Sequence, residues 1–299
     1  MAKEIVQEDL EKVKDLLNKA VGVCEYKSIE RLGGLTNHTY KVEVEDGTLY
    51  IVRIPGEGTE KMIVRSDEYK STKLACDLDI DAQLYYFGED GSKVSEYIAN
   101  AETMSSETLK QTEHIKQMAD IFNKLHSSGK DTGVSFEVFD MASGYEDIIK
   151  AHNVPMYDDY AEVKQQVMDI KMETDGTLDI KKVPCHNDAL CENWIVGNGR
   201  MYLVDWEYAG MNDGMWDLAD VSIEAEYSKE NDEELLEAYI GEKPDVSVWK
   251  HFYASKIYVD YLWTLWAKTR VPFDGQPMED WATDRYTRLK ANIEAFKGM

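Results

Sequence analysis

The spacing of apolar residues changes along the chain and separates a β-rich first part from a helical remainder. Residues 7–21 carry apolar side chains three and four positions apart, which predicts an amphipathic helix that Gly22 ends. The period then falls to two, which predicts strands, and Asp46-Gly47 is a strong hairpin signal between two of them. The predicted strands of this stretch cover residues 26–32, 39–45 and 49–54.

Beyond residue 55 the pattern becomes mainly helical. Helix-like spacing covers residues 60–77, and two short strands follow near 82–87 and 93–98. One further interruption, a polar loop and a short hairpin, lies between Val183 and Asp205. We therefore predict a small β-rich part that ends near residue 98, followed by a mainly helical part. The later predicted helices cover residues 106–126, 214–227, 230–240, 245–268 and 279–297.

Composition and charge narrow the classes of function. The 299 residues include 33 Lys and Arg against 58 Asp and Glu, a net charge of −25, and 43% are hydrophobic, which is enough for a core. Such acidity argues against binding nucleic acid or an anionic membrane, and it favours a cationic partner. The chain shows neither a leader-like apolar segment nor a long apolar run, and its four cysteines form no paired pattern. These features predict a soluble cytoplasmic protein with free thiols.

Three polar residues around the hairpin carry candidate chemistry. Asp188 and Asn193 are five residues apart across a turn, and the hairpin is expected to return Asp205 beside them. Amide and carboxylate oxygens suit Mg²⁺, so Asn193 and Asp205 are the candidate metal ligands, and Asp188 is left to accept a proton from a hydroxyl group. The pattern H-x-D-x4-N followed by Asp has the form of a kinase catalytic loop, in which His186 orients the loop by hydrogen bonds. The alternative is a hydrogen-bonded polar loop that caps the later helices.

Aromatic residues on the helix predicted at 245–268 are the second candidate feature. Trp263 and Trp266 are three positions apart and therefore lie on the same helix face. A tryptophan pair that faces a pocket suits a quaternary ammonium group through cation–π attraction. The pattern alone favours plain core packing, since both sides of this helix carry large apolar residues.

The catalytic segment resembles that of a known family. Cys185-His186-Asn187-Asp188, then Asn193, then Asp205-Trp206-Glu207-Tyr208-Ala209 is similar to the choline/ethanolamine kinase family. That family belongs to an aminoglycoside-phosphotransferase-like group, and the resemblance runs from about residue 30 to 270. It implies an α+β, two-lobed, protein-kinase-like fold. Residues 1–98 would form a small β-rich nucleotide-binding lobe, and residues 99–299 a larger helical catalytic and substrate lobe.

The resemblance also implies roles for residues of the first lobe. A glycine-containing loop would lie over the nucleotide phosphates, and a basic strand residue would contact them, where choline kinases have Arg and protein kinases Lys. An acidic helix residue would pair with that arginine, and a hinge would hold adenine. Taken singly, these could be an ordinary turn, a surface charge, one of several helix acids and a strand end; their order along the chain favours the functional interpretation. The residues implied are Gly34, Thr36 and Asn37 in the loop, Arg53 on the strand, Glu68 on the helix, and Glu96 and Ile98 at the hinge.

For the substrate, the resemblance assigns Trp263 and Trp266 to an aromatic wall that binds choline. Glu224 and Tyr227 are similar in position to a glutamate and a tyrosine of the family on the helix beyond the metal-binding aspartate. Glu207 and Asp217 would supply negative potential for the ammonium group or orient Mg²⁺, and helix capping and loop hydrogen bonding are equal alternatives for these two residues.

Together these features predict an enzyme that transfers the γ-phosphate of ATP, with Mg²⁺, to the hydroxyl group of choline. The nearest alternative is the same chemistry on ethanolamine, thiamine or an aminoglycoside. An alternative of another class is a catalytically inactive, kinase-like binding protein.

Overall fold

The computed structural model describes residues 5–32, 37–56 and 63–299, and it has an α+β architecture. Within these ranges no helix combines the length and apolar character needed to span a membrane. The helices are α1 (Asp9–Val21), α2 (Arg65–Asp77), α3 (Ser106–Leu109), α4 (Thr112–His126), α5 (Val138–Ala151), α6 (Tyr160–Thr177), α7 (Gly214–Glu224), α8 (Lys229–Ile240), α9 (Val246–Asp274) and α10 (Gln276–Lys297). The strands are β1 (Tyr26–Arg31), β2 (His38–Val44), β3 (Leu49–Ile54), β4 (Leu84–Phe87), β5 (Lys93–Glu96), β6 (Glu102–Thr103), β7 (Lys182–Cys185), β8 (Trp194–Gly197), β9 (Arg200–Leu203) and β10 (Gly210–Asp213).

The early strands form an antiparallel sheet in the order β1-β2-β3-β5-β4. Strand β2 alternates as its sequence predicts, because Tyr40, Val42 and Val44 are buried while the residues between them are partly exposed. Helix α1 packs its apolar stripe, including Val13 and Leu17, against this face of the sheet. Along β3, Val52 and Ile54 join this core, and Arg53 between them points to the opposite face of the sheet.

By its contacts the chain divides into two compact units. The first comprises Met1–Ser105, Thr132–Val134 and Cys191–Gly210, and the second comprises Ser106–Asp131, Ser135–Leu190 and Met211–Met299. The hairpin β8–β9 belongs to the first unit because β8 pairs with β6 and because Tyr202 packs with Ala82 and Ile98. Each unit therefore combines several separate segments of the chain. The boundary near residue 98 between a nucleotide-binding and a substrate lobe stays a prediction.

The second unit is built around α9, which packs against α5, α6, α7 and α10. As the sequence predicted, this helix is buried nearly all round along its middle, where Phe252, Ile257 and Leu265 are inaccessible to solvent. Beside it, β7 pairs with β10, and α7 follows β10 directly.

Two predicted helices differ from the structure. The helix predicted at 106–126 is two helices, because the backbone of Gln111 is extended (φ −73°, ψ 133°) and caps the start of α4. The helix predicted at 60–77 begins at Arg65, and residues 57–62 lie outside the described part of the chain. Both differences fall at helix starts, where apolar spacing carries the least information.

Candidate active site

The predicted phosphate loop is described only at its end. Gly34 and Thr36 lie outside the described residues. Asn37 is 6% exposed, and its Oδ1 atom has no hydrogen-bond partner in the part of the chain that the structure describes. Burying a hydrogen-bond acceptor without a partner costs desolvation free energy. Of the three residues predicted for the phosphate loop, Asn37 is the one that the structure describes.

Strand β3 places Arg53 in a buried group of charges. Its Nη2 atom donates to Glu68 on α2 and to the carbonyl oxygen of Gly91 at 2.9 Å, and its Nη1 atom donates to Oδ1 of Asp205 at 3.0 Å. The side chains of Arg53 and Glu68 are 5% and 0% exposed. The Arg53–Glu68 ion pair predicted from the sequence is therefore present, and Asp205 joins it. Arg53 is a buried arginine rather than a surface charge on an edge strand.

Arg65, which was not among the residues predicted for the site, extends this group of charges. It donates to Oε2 of Glu68 at 2.7 Å, and its Nη1 atom lies 3.8 Å from Oε2 of Glu207. Gly91 is required beside it, since its φ is +86° and a Cβ atom there would lie 2.5 Å from the Arg65 side chain. A basic residue three positions before Glu68 is the sequence signal that could have identified it.

Glu207 lies with this charged group, within the first unit. Burial, reinforced by the negative charge of Asp205, raises the pKa of Glu207 to about 7. Its Oε2 atom is buried and has no hydrogen-bond partner among the described residues. Glu207 was expected among the substrate-binding residues; its neighbours in the structure are Asp205, Arg53, Glu68 and Arg65.

The β8–β9 hairpin brings the backbone next to Asp205 close to that of Asn193, and these two residues are the candidate metal ligands. Asn193 ends a 3₁₀ turn, and its carbonyl oxygen accepts a hydrogen bond from the N–H of Val204 at 2.9 Å. Asp205, the next residue, has a left-handed backbone (φ +69°) and a side chain that is 36% exposed. The predicted return of Asp205 toward Asn193 is thus present in the backbone, and a strained φ at a non-glycine residue marks the position.

The predicted hinge is an ordinary strand end in its hydrogen bonding. The N–H of Glu96 donates to the carbonyl oxygen of Gln83 at 2.9 Å, and Glu96 pairs with Tyr50 across the sheet. Ile98 is buried against Ala82 and Tyr202. The adenine-binding role of Glu96 and Ile98 stays a prediction.

In the second unit, α7 holds the loop that carries Asp188. Asp217 accepts from the backbone N–H groups of His186 and Asn187, each at 2.8 Å. Asp220, one turn further along α7, accepts from the N–H of Ala189 at 2.5 Å. The backbone on both sides of half-buried Asp188 is therefore held by carboxylates from one helix.

Side chains complete the support of this loop. Trp216 donates its indole N–H to the carbonyl oxygen of Asn187 at 3.1 Å, and His186 accepts from the N–H of Asp188 at 3.3 Å. The hydrogen bond of His186 agrees with the predicted role of orienting the loop. Asn187 has a left-handed backbone (φ +67°), which is the sharp turn that these contacts hold in place.

Asp217 also has a side-chain partner at the end of α4. His126 lies with Nε2 3.0 Å from Oδ2 of Asp217, and the Sγ atom of Cys185 lies within 4.8 Å of both groups. Burial raises the pKa of the Cys185 thiol well above its ordinary value. Because Asp217 already accepts two backbone hydrogen bonds, we assign it to loop support. The sequence signal for Asp217 and the missed Asp220 is a pair of acids three apart on an otherwise apolar helix.

The aromatic residues of α9 form a cluster with α10. The ring centroids of Trp263 and Trp266 lie 6.0 Å apart at 85°, and those of Trp266 and Trp281 lie 6.0 Å apart at 76°. We call these three residues the tryptophan cluster. Trp281 lies on α10, so the spacing of residues on α9 does not predict it. The predicted Tyr227 donates its hydroxyl to the carbonyl oxygen of Leu109 at 2.7 Å, and Glu224 accepts from Arg285.

Known proteins match this chain over nearly its whole length. A family model described as choline/ethanolamine kinase matches residues 29–261. A crystal structure of a choline/ethanolamine kinase family protein from Mesorhizobium loti is 31% identical, covers 95% of this chain and 94% of that one, and has a TM-score of 0.84. The choline kinase LicA from Streptococcus pneumoniae is 32% identical over 97% of this chain and all of that one, with a TM-score of 0.81.

Relatives matched by sequence alone include other proteins named LicA. The protein LicA of Haemophilus influenzae is 27% identical over 261 residues, which are 85% of this chain and 76% of that protein. An aminoglycoside phosphotransferase, 17% identical with a TM-score of 0.63, shares the fold alone. The fold is therefore the protein-kinase-like fold expected from the sequence. This chain belongs to the choline/ethanolamine kinase family.

Proposed function

We propose that this protein transfers the γ-phosphate of ATP to the hydroxyl group of choline. The observation that carries the proposal is the Asp188 loop, which buried carboxylates of α7 hold on both sides, in a chain that belongs to a kinase family. A phosphoryl transfer needs positioning and charge neutralisation more than covalent chemistry. A rigidly supported carboxylate and a buried arginine group supply both.

Asp188 is the proposed catalytic base. It orients the choline hydroxyl and accepts its proton while the hydroxyl oxygen attacks the γ-phosphorus. The bond from that phosphorus to the bridging oxygen breaks, and ADP leaves with the electron pair. The products are phosphocholine and ADP.

Arg53, Asp205 and Glu207, together with Asn193, fit a magnesium ion and a triphosphate. Asn193 and Asp205 offer hard oxygen ligands, and the buried Oε2 atom of Glu207 has no hydrogen-bond partner among the described residues. We propose that Asn193 and Asp205 hold Mg²⁺, with Glu207 beside them. Mg²⁺, when bound, neutralises charge on the phosphate oxygens. Arg53, positioned by Glu68, binds the triphosphate together with the loop of Gly34, Thr36 and Asn37.

The nucleotide part of the proposal has support from a relative. A crystal structure of LicA in complex with AMP is 30% identical to this chain, covers 96% of it and has a TM-score of 0.77. We propose that the backbone near Glu96 and Ile98 binds adenine here.

Trp263, Trp266 and Tyr227 are the proposed binding residues for the trimethylammonium group. Aromatic faces attract a cation that has no N–H donors, and they do so without the free-energy cost of burying a carboxylate. Ethanolamine is the second candidate, because the family includes kinases for it and because an ethanolamine kinase from Mus musculus is 26% identical over 193 residues.

The test is a phosphorylation panel with Asp188→Asn as the critical variant. The wild type, with ATP and Mg²⁺, should phosphorylate choline faster than ethanolamine, thiamine or an aminoglycoside. Asp188→Asn should lower kcat for choline by about 10²–10⁴-fold and leave ATP binding intact, since it removes the proton acceptor alone. Asp147→Asn, on the exposed face of α5, is the matched control. Normal turnover in Asp188→Asn would refute the assignment, and nucleotide binding without turnover in the wild type would favour a binding protein.

A further inference from the structure

Asp9, in the first turn of α1, is a buried carboxylate that connects this helix to the start of β2. Its side chain is 7% exposed, and its Oδ2 atom lies 2.6 Å from Nδ1 of His38 and 2.6 Å from the hydroxyl oxygen of Tyr40. A carboxylate only accepts hydrogen bonds, so both groups donate to it. These two hydrogen bonds offset the cost of burying the carboxylate oxygen.

Helix α1 gives Asp9 a well-defined position. Val13 and Leu17 of the same helix are fully buried in the core that α1 forms with the first sheet. A close-packed helix leaves its side chains little freedom to shift, so Asp9 is a rigid point of attachment. Tyr40 has a second source of order, because its ring is fully buried in the same core.

His38 depends more strongly on Asp9 than Tyr40 does. It is the first residue of β2, it follows the predicted phosphate loop directly, and its side chain is 29% exposed. It pairs with Ile54 of β3, and on the other side of β2 the N–H of Leu32 donates to the carbonyl oxygen of Thr39, one residue further along, at 2.8 Å. The hydrogen bond to Asp9 is therefore a main support of the side chain at this strand end.

The opposite face of the same strand end is directed toward Arg53. Thr39 lies directly across from Arg53 in the sheet, and the alternation of side chains puts both of them on the face away from α1. Asn37, the described residue of the predicted phosphate loop, immediately precedes His38. A shift of His38 would therefore displace its two neighbours, Asn37 and Thr39, relative to Arg53.

We propose that Asp9 and His38 are positioning residues for ATP, which hold the end of the predicted phosphate loop in place beside Arg53. The inference rests on the proposed function and adds to it two residues that touch neither ATP nor the alcohol. Because Asp188 is not involved, loss of this contact weakens ATP binding and leaves turnover at saturating ATP unchanged.

The test is the binding of ATP with Mg²⁺, measured by titration calorimetry without an alcohol, at a temperature at which circular dichroism shows every variant to be folded. His38→Ala removes one donor to Asp9, and the Kd for ATP should rise by about tenfold. Tyr40→Phe removes the other donor to the same oxygen and is the matched control, so its Kd should stay within about twofold of the wild-type value. His38→Asn keeps a donor close to the position of Nδ1 and should restore most of the affinity.

Steady-state kinetics separate positioning from a general loss of structure. In His38→Ala the KM for ATP should rise by about tenfold, whereas kcat for choline should stay within about twofold of the wild-type value. A lower kcat with an unchanged KM would overturn the inference. Equal increases of Kd in His38→Ala and Tyr40→Phe would also overturn it, because they would show that the contact supports only the packing of α1.

A second variant decides the matter where His38→Ala does not fold. Asp9→Ala combined with Tyr40→Phe removes the carboxylate and leaves no tyrosine hydroxyl without its acceptor, and the Kd for ATP should rise by a similar factor. A wild-type Kd in this variant would overturn the inference. A wild type that binds ATP but phosphorylates no alcohol would overturn the proposed function, while the comparison of Kd values would still decide the role of Asp9 and His38.

Discussion

The carboxyl group of Asp81 shows how strongly burial acts on one residue of the first unit. Asp81 is 7% exposed and accepts from the N–H of Ala82 at 2.6 Å. Burial raises the pKa of Asp81 from 3.8 to about 6, although Lys93 opposes the shift. The folded chain therefore keeps a proton between about pH 4 and pH 6 that the unfolded chain has already released. The contribution of this group to stability falls as the pH rises through that window and is constant above it.

Asp81→Asn is expected to separate this effect from the rest of the titration. The amide stays uncharged, so the variant should gain stability relative to the wild type between pH 4 and pH 7, by up to about 3 kcal/mol. Urea unfolding of both proteins at the two pH values, without divalent cations, measures the difference. The same difference at both pH values would show that Asp81 does not titrate in this window.

Helix α7 is the element on which the position of Asp188 depends. It begins with Asp213 as its N-cap, where the side chain accepts from the N–H of Met215 at 3.0 Å. The two aspartates along its length, Asp217 and Asp220, turn toward the loop instead of toward solvent. A carboxylate can be buried on an apolar helix when backbone N–H groups donate hydrogen bonds to it. Here those hydrogen bonds also restrict the movement of the loop that carries Asp188.

Asp217→Asn should therefore act on catalysis through the loop. One of the two oxygens becomes an NH₂ group, which faces a backbone N–H donor and releases it. We expect kcat to fall by about 10²-fold while KM for ATP stays the same, because the displaced group is Asp188, the proposed proton acceptor, and not the proposed nucleotide site. Asp245→Asn is the control, since Asp245 caps α9 at an exposed N-terminus and Asn caps a helix equally well. Equal kcat values in the two variants would argue against loop support by Asp217.

Charge is the property of the whole molecule that bears on its substrate. The chain carries a net charge of −25, while the proposed alcohol substrate is a cation. A strongly negative field raises the local concentration of such a cation, and salt screens the field. The negative charge argues against nucleic acid and anionic membranes as partners. It points to a particular class of substrate only when that substrate is a cation.

The ionic-strength dependence of kcat/KM measures this contribution. At saturating ATP, kcat/KM for choline should fall by about threefold or more as the ionic strength rises from about 0.02 M to about 0.3 M. The control is the uncharged analogue of choline in which a carbon atom replaces nitrogen, and its kcat/KM should change little. Parallel curves for the two compounds would leave the acidity as a matter of solubility alone.

The sequence predicted most of what depends on neighbours along the chain. Alternation and helical spacing located β2 and the long buried helix α9, and the ordered motifs located Arg53, Glu68 and the Asp188 segment. These features are local, because a period or a short motif is complete within one element. Helix starts were less predictable, as the break at Gln111 shows, because the cap of α4 has no recognisable side-chain signal.

Only the tertiary structure decided which charged and aromatic side chains meet. Trp281 and Arg285 on α10 join Glu224 on α7 and Trp266 on α9, and Arg65 joins Glu207 across 142 positions of sequence, from residue 65 to residue 207. No spacing rule connects such residues, since their proximity depends on how whole helices and strands pack. The sequence by itself therefore determined the fold class, the family and the order of the chemical groups. Packing determined which carboxylates pair with arginine side chains.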